Sequence, residues 1–210
     1  MKLLIIGGTG KTGRELIKQG LEAGHTITAL VRNPKNLKIT HKKLKVIKSD
    51  VLLPESLDLP FQDQDAVISA LGHKRFFIKT SILSRGTQNC IDAMQKHHVT
   101  RFICITSLGI NESRFKLGIY YTLFTIPLIL YFYLLDKSKQ EKLIMKSHLE
   151  WTIVRPGQLT NGKKRTTYKH STKVGHYIFT KMISRASVAH FILQNITSLT
   201  YKYKAVGIVN

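Results

Sequence analysis

Short apolar runs alternate with segments of helical periodicity through the first half of the chain. Residues 2–6 form an apolar run closed by a glycine cluster, and residues 14–23 follow with Leu16, Ile17 and Leu21 at helical spacing. The pattern predicts a strand, a turn and a helix. Residues 26–31 (TITALV) make a β-rich run stopped by Asn33 and Pro34, and residues 44–47 make another, followed by Ser49 and Asp50. Residues 66–71 (AVISAL) and 101–106 (RFICIT) repeat it, and Ile82, Leu83, Cys90, Ile91 and Met94 mark a helix between them.

Strands separated by helices imply parallel pairing with crossover connections, and such sheets are covered by helices on both faces. The expected fold class is therefore α/β, with a doubly wound, mostly parallel sheet. Ligands of such folds bind at the carboxyl ends of the strands. The residues standing there are 7–13, Arg32, Asp50 and Val51, Leu71 and Gly72, and Thr106 and Ser107.

The first of these positions carries the strongest signal. In GGTGKTG, Gly8, Gly10 and Gly13 have the GxGxxG spacing, and Gly7, Gly10 and Gly13 have the GxxGxxG spacing. Between a strand and a helix, such glycines permit a tight turn, a close backbone approach to a pyrophosphate and close helix–strand packing, while the helix N-terminus offers free N–H groups to the anion. Gly10-Lys11-Thr12 also spells the end of a phosphate loop, but that motif needs a glycine where Ile5 stands. Arg32 lies 19 residues after Gly13, where an acidic residue would hold a free ribose 2′-hydroxyl. Arginine there suits a 2′-phosphate, so NADP is expected over NAD. Lys35 and Lys38 either add to this basic corner or belong to a solvated lysine-rich surface that runs on through Lys48.

KLLIIGGTGKTGRELIKQGLEAGHTITALVRNP resembles the opening of atypical short-chain dehydrogenases/reductases. ALG at 70–72, ITSLG at 105–109, LEWTIVRPGQLT at 149–160 and ISRASVAHFIL at 183–193 extend the resemblance over nearly the whole chain. The compact NAD(P)H-binding group that holds NmrA-like proteins and the biliverdin-IXβ and flavin reductases is the most similar branch. The resemblance implies one Rossmann domain over 1–210, with 108–148 and 157–185 as substrate-side insertions. It implies that Thr9, Gly10, Lys11, Thr12 and Gly13 wrap the pyrophosphate together with Gly7, and that Arg32 meets the 2′-phosphate. Asp50 and Val51 would contact adenine, Ala70, Leu71 and Gly72 would line the cofactor with Thr106, and Pro156 would begin the loop near the nicotinamide. One departure stands out: the family often has an acidic residue after ISRA, and this chain has Ser187.

Family enzymes use a tyrosine and a lysine four residues apart on one helical face, helped by a serine or threonine after the fifth strand. An ammonium so placed can lower the phenol pKa and bind ribose while the phenol exchanges a proton with the substrate. Tyr133 and Lys137 have this spacing, and Ser107 would orient a substrate carbonyl. The flavin-reductase branch instead carries acidic residues here and no catalytic tyrosine, and Asp136-Lys137 followed by Gln140-Glu141 resembles that pattern too. Hydride transfer would then rest on cofactor positioning and bound water.

Residues 117–135 are 19 in number and uncharged, long enough to be tested as a membrane span. A span here would separate the fifth strand from WTIVRP, which the sheet needs as its sixth. Two apolar helical pieces broken at Pro127, walling a greasy pocket or a subunit contact, are expected instead. Lys plus Arg outnumber Asp plus Glu by 33 to 12, a net charge of +21. That field attracts phosphorylated cofactors, nucleic acid and acidic lipid alike, so it names a class of partner; peripheral membrane contact stays open and no specific nucleic acid is expected. At 210 residues, with 43% hydrophobic and 21% charged positions, the chain has the make-up of one globular domain, as a monomer or homodimer. Cys90 and Cys104 show no metal spacing, nor do the histidines, so no metal site is expected. Without a secretory start, cytoplasm is the expected location. The run at 162–173 reads as a basic solvated loop that could cover a site. The leading expectation is an NADP-dependent reductase of a small flat or aromatic acceptor, namely a flavin, quinone or carbonyl compound. The alternative is a non-catalytic NmrA-like NADP(H) sensor that regulates a protein partner.

Overall fold

Each apolar run named above becomes a strand of one sheet. The computed structural model describes residues 1–73 and 75–210. In chain order it contains β1 (Lys2–Ile6), α1 (Lys11–Glu22), β2 (Thr26–Val31), β3 (Leu44–Lys48), α2 (Asp58–Phe61), β4 (Ala66–Ser69), α3 (Ile82–Lys96) and β5 (Arg101–Ile105). A wide helical arm (Tyr121–Leu130) runs into α4 (Tyr131–Lys146), followed by β6 (Glu150–Pro156), β7 (Gln158–Thr160), β8 (Lys169–Ser171), β9 (Met182–Ser184), α5 (Arg185–Gln194) and β10 (Lys204–Val209). The sheet order is β3-β2-β1-β4-β5-β6-β10-β8, parallel except for β8, which pairs antiparallel with β10. A small parallel pair, β7 with β9, stands apart from it.

Alternation along each strand divides the core into two layers. Leu3 and Ile5 of β1 face α1 and α5, packing with Leu16, Ile17, Val188 and Phe191. Leu4 and Ile6 face the other side, packing with Cys90, Ile91 and Met94 of α3 and Ile144 of α4. With both faces covered, the inner strands are apolar at most positions, which is why they read as nearly unbroken runs rather than alternating ones, and the polar exceptions such as Arg101 and Arg155 are buried with hydrogen-bond partners. The edge strand β3 exposes Lys45 and Lys48, charges that discourage pairing with another chain. The chain leaves β1 toward β2 and β3, then returns to β4 on the other side of β1, so a crevice opens beside the carboxyl end of β1.

Two expectations are corrected. Pro127 does not break the apolar stretch: it lies within the arm, and the change to ordinary α-helix comes at Tyr131, after Leu130 at φ −99°, ψ 1°. The i→i+5 turns of the arm are wider than α-helical ones and accommodate a residue without an N–H. The run at 162–173 is not all loop, because Lys169–Ser171 forms the edge strand beside β10. Among the described residues, no helix is long and apolar enough to cross a membrane. Ser187 stands fully buried where an acidic residue was expected: its Oγ accepts from the Arg165 N–H (2.9 Å) and lies 2.8 Å from Ser184 Oγ.

Candidate functional site

The turn between β1 and α1 is closed by backbone against backbone. Gly7 has φ +79°, and a Cβ on it would lie 2.7 Å from the Ala70 carbonyl oxygen after β4. A Cβ on Gly13 would lie 2.2 Å from the Gly7 carbonyl oxygen. Neither position admits a side chain. The Gly10 N–H donates to the Gly7 carbonyl at 2.9 Å, and α1 begins at Lys11 with no side-chain cap and no acidic residue in its first turn. First-turn amides without intrahelical partners, at the positive end of a helix dipole, are a site for an anion. Gly10 and Lys11 are exposed and Thr9 and Thr12 half-buried, so the turn opens outward.

Basic groups surround this opening. Arg32 follows β2 directly and is exposed, while Arg14 donates to the Asn36 carbonyl at 2.8 Å, tying α1 to the segment after β2. A cleft of about 210 Å³ beside the start of α1 is lined by Lys11, Arg14 and Arg185, with Glu15 as its one acid, and by Asn161, Gly162 and Ala186. The pyrophosphate-binding chemistry expected of Gly7 to Gly13 therefore fits the residues present: a cradle that only glycines can form, an uncapped helix start and nearby cations.

Along the rest of the crevice the structure gathers some of the expected residues and diverts others. Val51 is buried against Gly86 of α3, where a Cβ would come within 2.6 Å of its Cγ2; Gly86 thus lets α3 approach the end of β3 and Leu71. Asp50 Oδ1 accepts from the Leu52 N–H at 3.0 Å, forming a local turn. Tyr133 reaches the end of β4: its hydroxyl oxygen is 3.5 Å from where a Cβ on Gly72 would stand, and its ring packs edge-on against His73 at 4.9 Å. Partial burial holds the His73 imidazole below its ordinary pKa, although Asp136 opposes this. Lys137 is buried, its Nζ 5.4 Å from the centre of the Tyr133 ring and donating to the Ile105 carbonyl at 3.3 Å. Tyr133 and Lys137 are thus neighbours on one face of α4, as their spacing requires.

The hydroxyls after β5 are engaged elsewhere. Thr106 donates to Glu141 Oε1 at 2.6 Å, and Ser107 donates to the Leu108 carbonyl at 2.7 Å. Pro156 is buried at the end of β6, its carbonyl accepting from the Leu108 N–H at 3.1 Å.

Two buried arrangements were not legible as such from the chain. Asp136 accepts from the N–H groups of Leu83 and Ser84 and from Ser84 Oγ (2.9, 3.1 and 2.5 Å), so a carboxylate of α4 caps the start of α3. Fully buried Glu141 takes two hydrogen bonds from Arg155 (2.9 and 2.6 Å), one from Thr106 and one from Asn111, and Arg155 also reaches Glu112 at 2.7 Å. Burial alone would weaken the Arg155 charge, but Glu141 and Glu112 more than offset it and hold the guanidinium above its ordinary range. This network fixes α4 against the ends of β5 and β6. A signal existed in Asp136 and Glu141, two acids five positions apart in DKSKQE after a long uncharged stretch, but their partners lie on other elements. The two cysteines are buried, and burial pushes the Cys104 thiol up to about 12, which leaves it inert as a nucleophile. Among the described residues no cluster of His, Cys, Asp and Glu could hold a metal.

A β1-turn-α1 cradle at the switch point of a doubly wound parallel sheet defines an NAD(P)-binding Rossmann protein. The sequence matches the NAD(P)H-binding family over residues 7–198, and the chain belongs to that family, an atypical short-chain dehydrogenase/reductase-like group of oxidoreductases. An uncharacterised chloroplastic protein of Arabidopsis thaliana is 28% identical over 221 residues, covering 99% of this chain and 76% of its own. Protein TIC 62 of Pisum sativum is 30% identical over 197 residues, covering 82% of this chain but only 35% of its own length. An oxidoreductase of Lactococcus lactis shares the fold with a TM-score of 0.84 at 22% identity, covering 100% of this chain and 91% of that one.

Proposed function

We propose that this protein is an NADP-dependent reductase of a flat or aromatic acceptor, a flavin, quinone or carbonyl compound. The observation that carries the reading is the row of adjacent strand ends: Arg32 follows β2, the glycine cradle follows β1 with Gly7 against Ala70, and Tyr133 with Lys137 beside it reaches Gly72 after β4. The first-turn amides of α1 and the side chains of Lys11 and Thr12 hold the pyrophosphate, and Arg32 pairs with the 2′-phosphate. Ala70, Leu71 and Gly72 form the floor toward the nicotinamide, which supplies the hydride when NADPH is bound. Tyr133 stands where its hydroxyl can donate a proton to a reduced acceptor. Lys137 places its Nζ 5.4 Å from the centre of that ring, and Ser107 can turn its hydroxyl from the Leu108 carbonyl toward an acceptor oxygen.

The test is titration with NADPH and NADH, followed by flavin, quinone and aldehyde acceptors while the absorbance of the reduced nicotinamide is recorded. NADPH binding tighter than NADH binding, with turnover, is expected, and Arg32→Ala should weaken NADPH about tenfold more than NADH, or about 1.4 kcal/mol. Equal losses for the two cofactors would remove Arg32 from the 2′-phosphate. A second reading, a non-catalytic NADP(H) sensor, draws on the engagement of Thr106, Ser107 and Lys137 with protein acceptors. It requires binding without turnover under every acceptor and unchanged behaviour of Tyr133→Phe.

A further inference from the structure

Three segments at the carboxyl edge of the sheet hold large apolar side chains in water. Phe77 and Ile78 follow β4, Phe124 and Leu128 lie on the arm after β5, and Tyr177 and Phe179 precede β9; each is between 55% and 71% exposed. Local contacts tie the third segment to the start of the arm and the first to α4, which continues the arm. The Ile119 N–H donates to the Ile178 carbonyl at 3.2 Å and Thr180 Oγ1 to the Leu117 carbonyl at 3.0 Å, while Phe76 packs edge-on against Tyr133 at 5.4 Å. The arm buries none of its side chains fully, resting through half-buried Tyr121 and Ile126 on Leu108, Leu117 and Val209.

The charges around this surface have one sign. No Asp or Glu occurs at residues 66–91, 113–135 or 151–210. Arg75 and Lys79 bracket the first apolar tip, Arg114 and Lys116 precede the arm, and Lys173 and Lys181 bracket the third tip. The acids that flank the arm in sequence are already engaged: Asp136 and Glu141 are buried and hydrogen-bonded, and Glu112 is paired with Arg155. The edge therefore presents apolar tips in a field of unbalanced cations.

That combination matches the interface of an anionic bilayer, where aromatic and aliphatic tips enter the headgroup–acyl boundary and lysines and arginines meet lipid phosphates. A second copy of the chain would set like charge against like charge. We propose that the carboxyl edge docks on an anionic lipid bilayer through the arm and its two flanking tips, without crossing it. The proposal goes beyond the reductase reading and stands without it.

The full chain is sedimented with vesicles of phosphatidylcholine, with and without phosphatidylglycerol, at low and high salt. Binding to the phosphatidylglycerol vesicles that weakens with salt is expected, with a partition roughly tenfold or more lower for the uncharged double variant Phe124→Ser, Leu128→Ser. Failure of the unaltered protein to bind overturns the proposal. So does equal binding by the variant, which would mean charge adsorption alone, or light scattering that shows a dimer which the same variant splits. A Phe124→Trp protein supplies an independent reading: lipids brominated on their acyl chains should quench its fluorescence in excess of that of the parent chain, whose single Trp151 is buried. Bound protein without such quenching would also sink it.

Discussion

The glycine turn and the helical arm lie at the same edge of one sheet and are built in opposite ways. In the turn, carbonyls of Gly7 and Ala70 occupy the space where side chains of Gly13 and Gly7 would be, so the backbone has one arrangement. In the arm, ten residues from Tyr121 to Leu130 bury no side chain, and their turns follow a wider path than an α-helix. The turn needs its shape for an anion that is the same in every NAD(P)-binding protein. The arm leaves its apolar side chains exposed, and little burial restrains it. A rigid cofactor end beside an adaptable apolar end is a division of labour that fits an oxidoreductase fold serving many acceptors.

The largest break in this comparison should come from Gly13→Ala. Its Cβ would stand 2.2 Å from the Gly7 oxygen, so β1 and α1 must separate. We expect a loss of about 2–4 kcal/mol in denaturant unfolding and no NADPH binding at concentrations that saturate the parent protein. Unchanged cofactor affinity would show that the turn is less rigid than its geometry implies.

Asp136→Ala tests the boundary between the two regions. It removes three hydrogen bonds from the start of α3 and leaves two buried amides without acceptors. A loss of about 1–3 kcal/mol is expected by thermal or denaturant unfolding, with Asp136→Asn less affected because its amide oxygen still accepts. An equal loss in both variants would assign the effect to charge rather than to hydrogen bonding.

The smallest effect should come from the arm itself. Leu128 is 71% exposed, so Leu128→Ser should change stability by no more than about 0.5 kcal/mol. A larger loss would mean that the arm is part of the core after all, and the comparison would fail.

Much of the fold was legible because buried parallel strands and glycine turns are local signals. The run KLLII, the spacing of Gly7, Gly10 and Gly13, and the helical positions of Leu83, Cys90, Ile91 and Met94 each carry their meaning within a few residues. Other elements were not legible for equally physical reasons. The edge strand Lys169–Ser171 is exposed on all three residues and reads as loop, and only its pairing with β10 makes it a strand. Pro127 reads as a helix breaker because the rule assumes α-helical hydrogen bonding, which the arm does not follow.

By itself, then, the sequence determined the alternation that makes a doubly wound sheet, the cradle for a dinucleotide and the cationic residue after β2. Which hydroxyls and carboxylates serve the protein's own architecture was decided only in three dimensions. Asp136 meets Leu83 and Ser84 more than fifty residues away, and Glu141 joins Thr106 and Asn111 of the connection after β5 to Arg155 of β6. A local motif needs only neighbours along the chain, whereas a buried charge depends on partners that folding alone brings within reach.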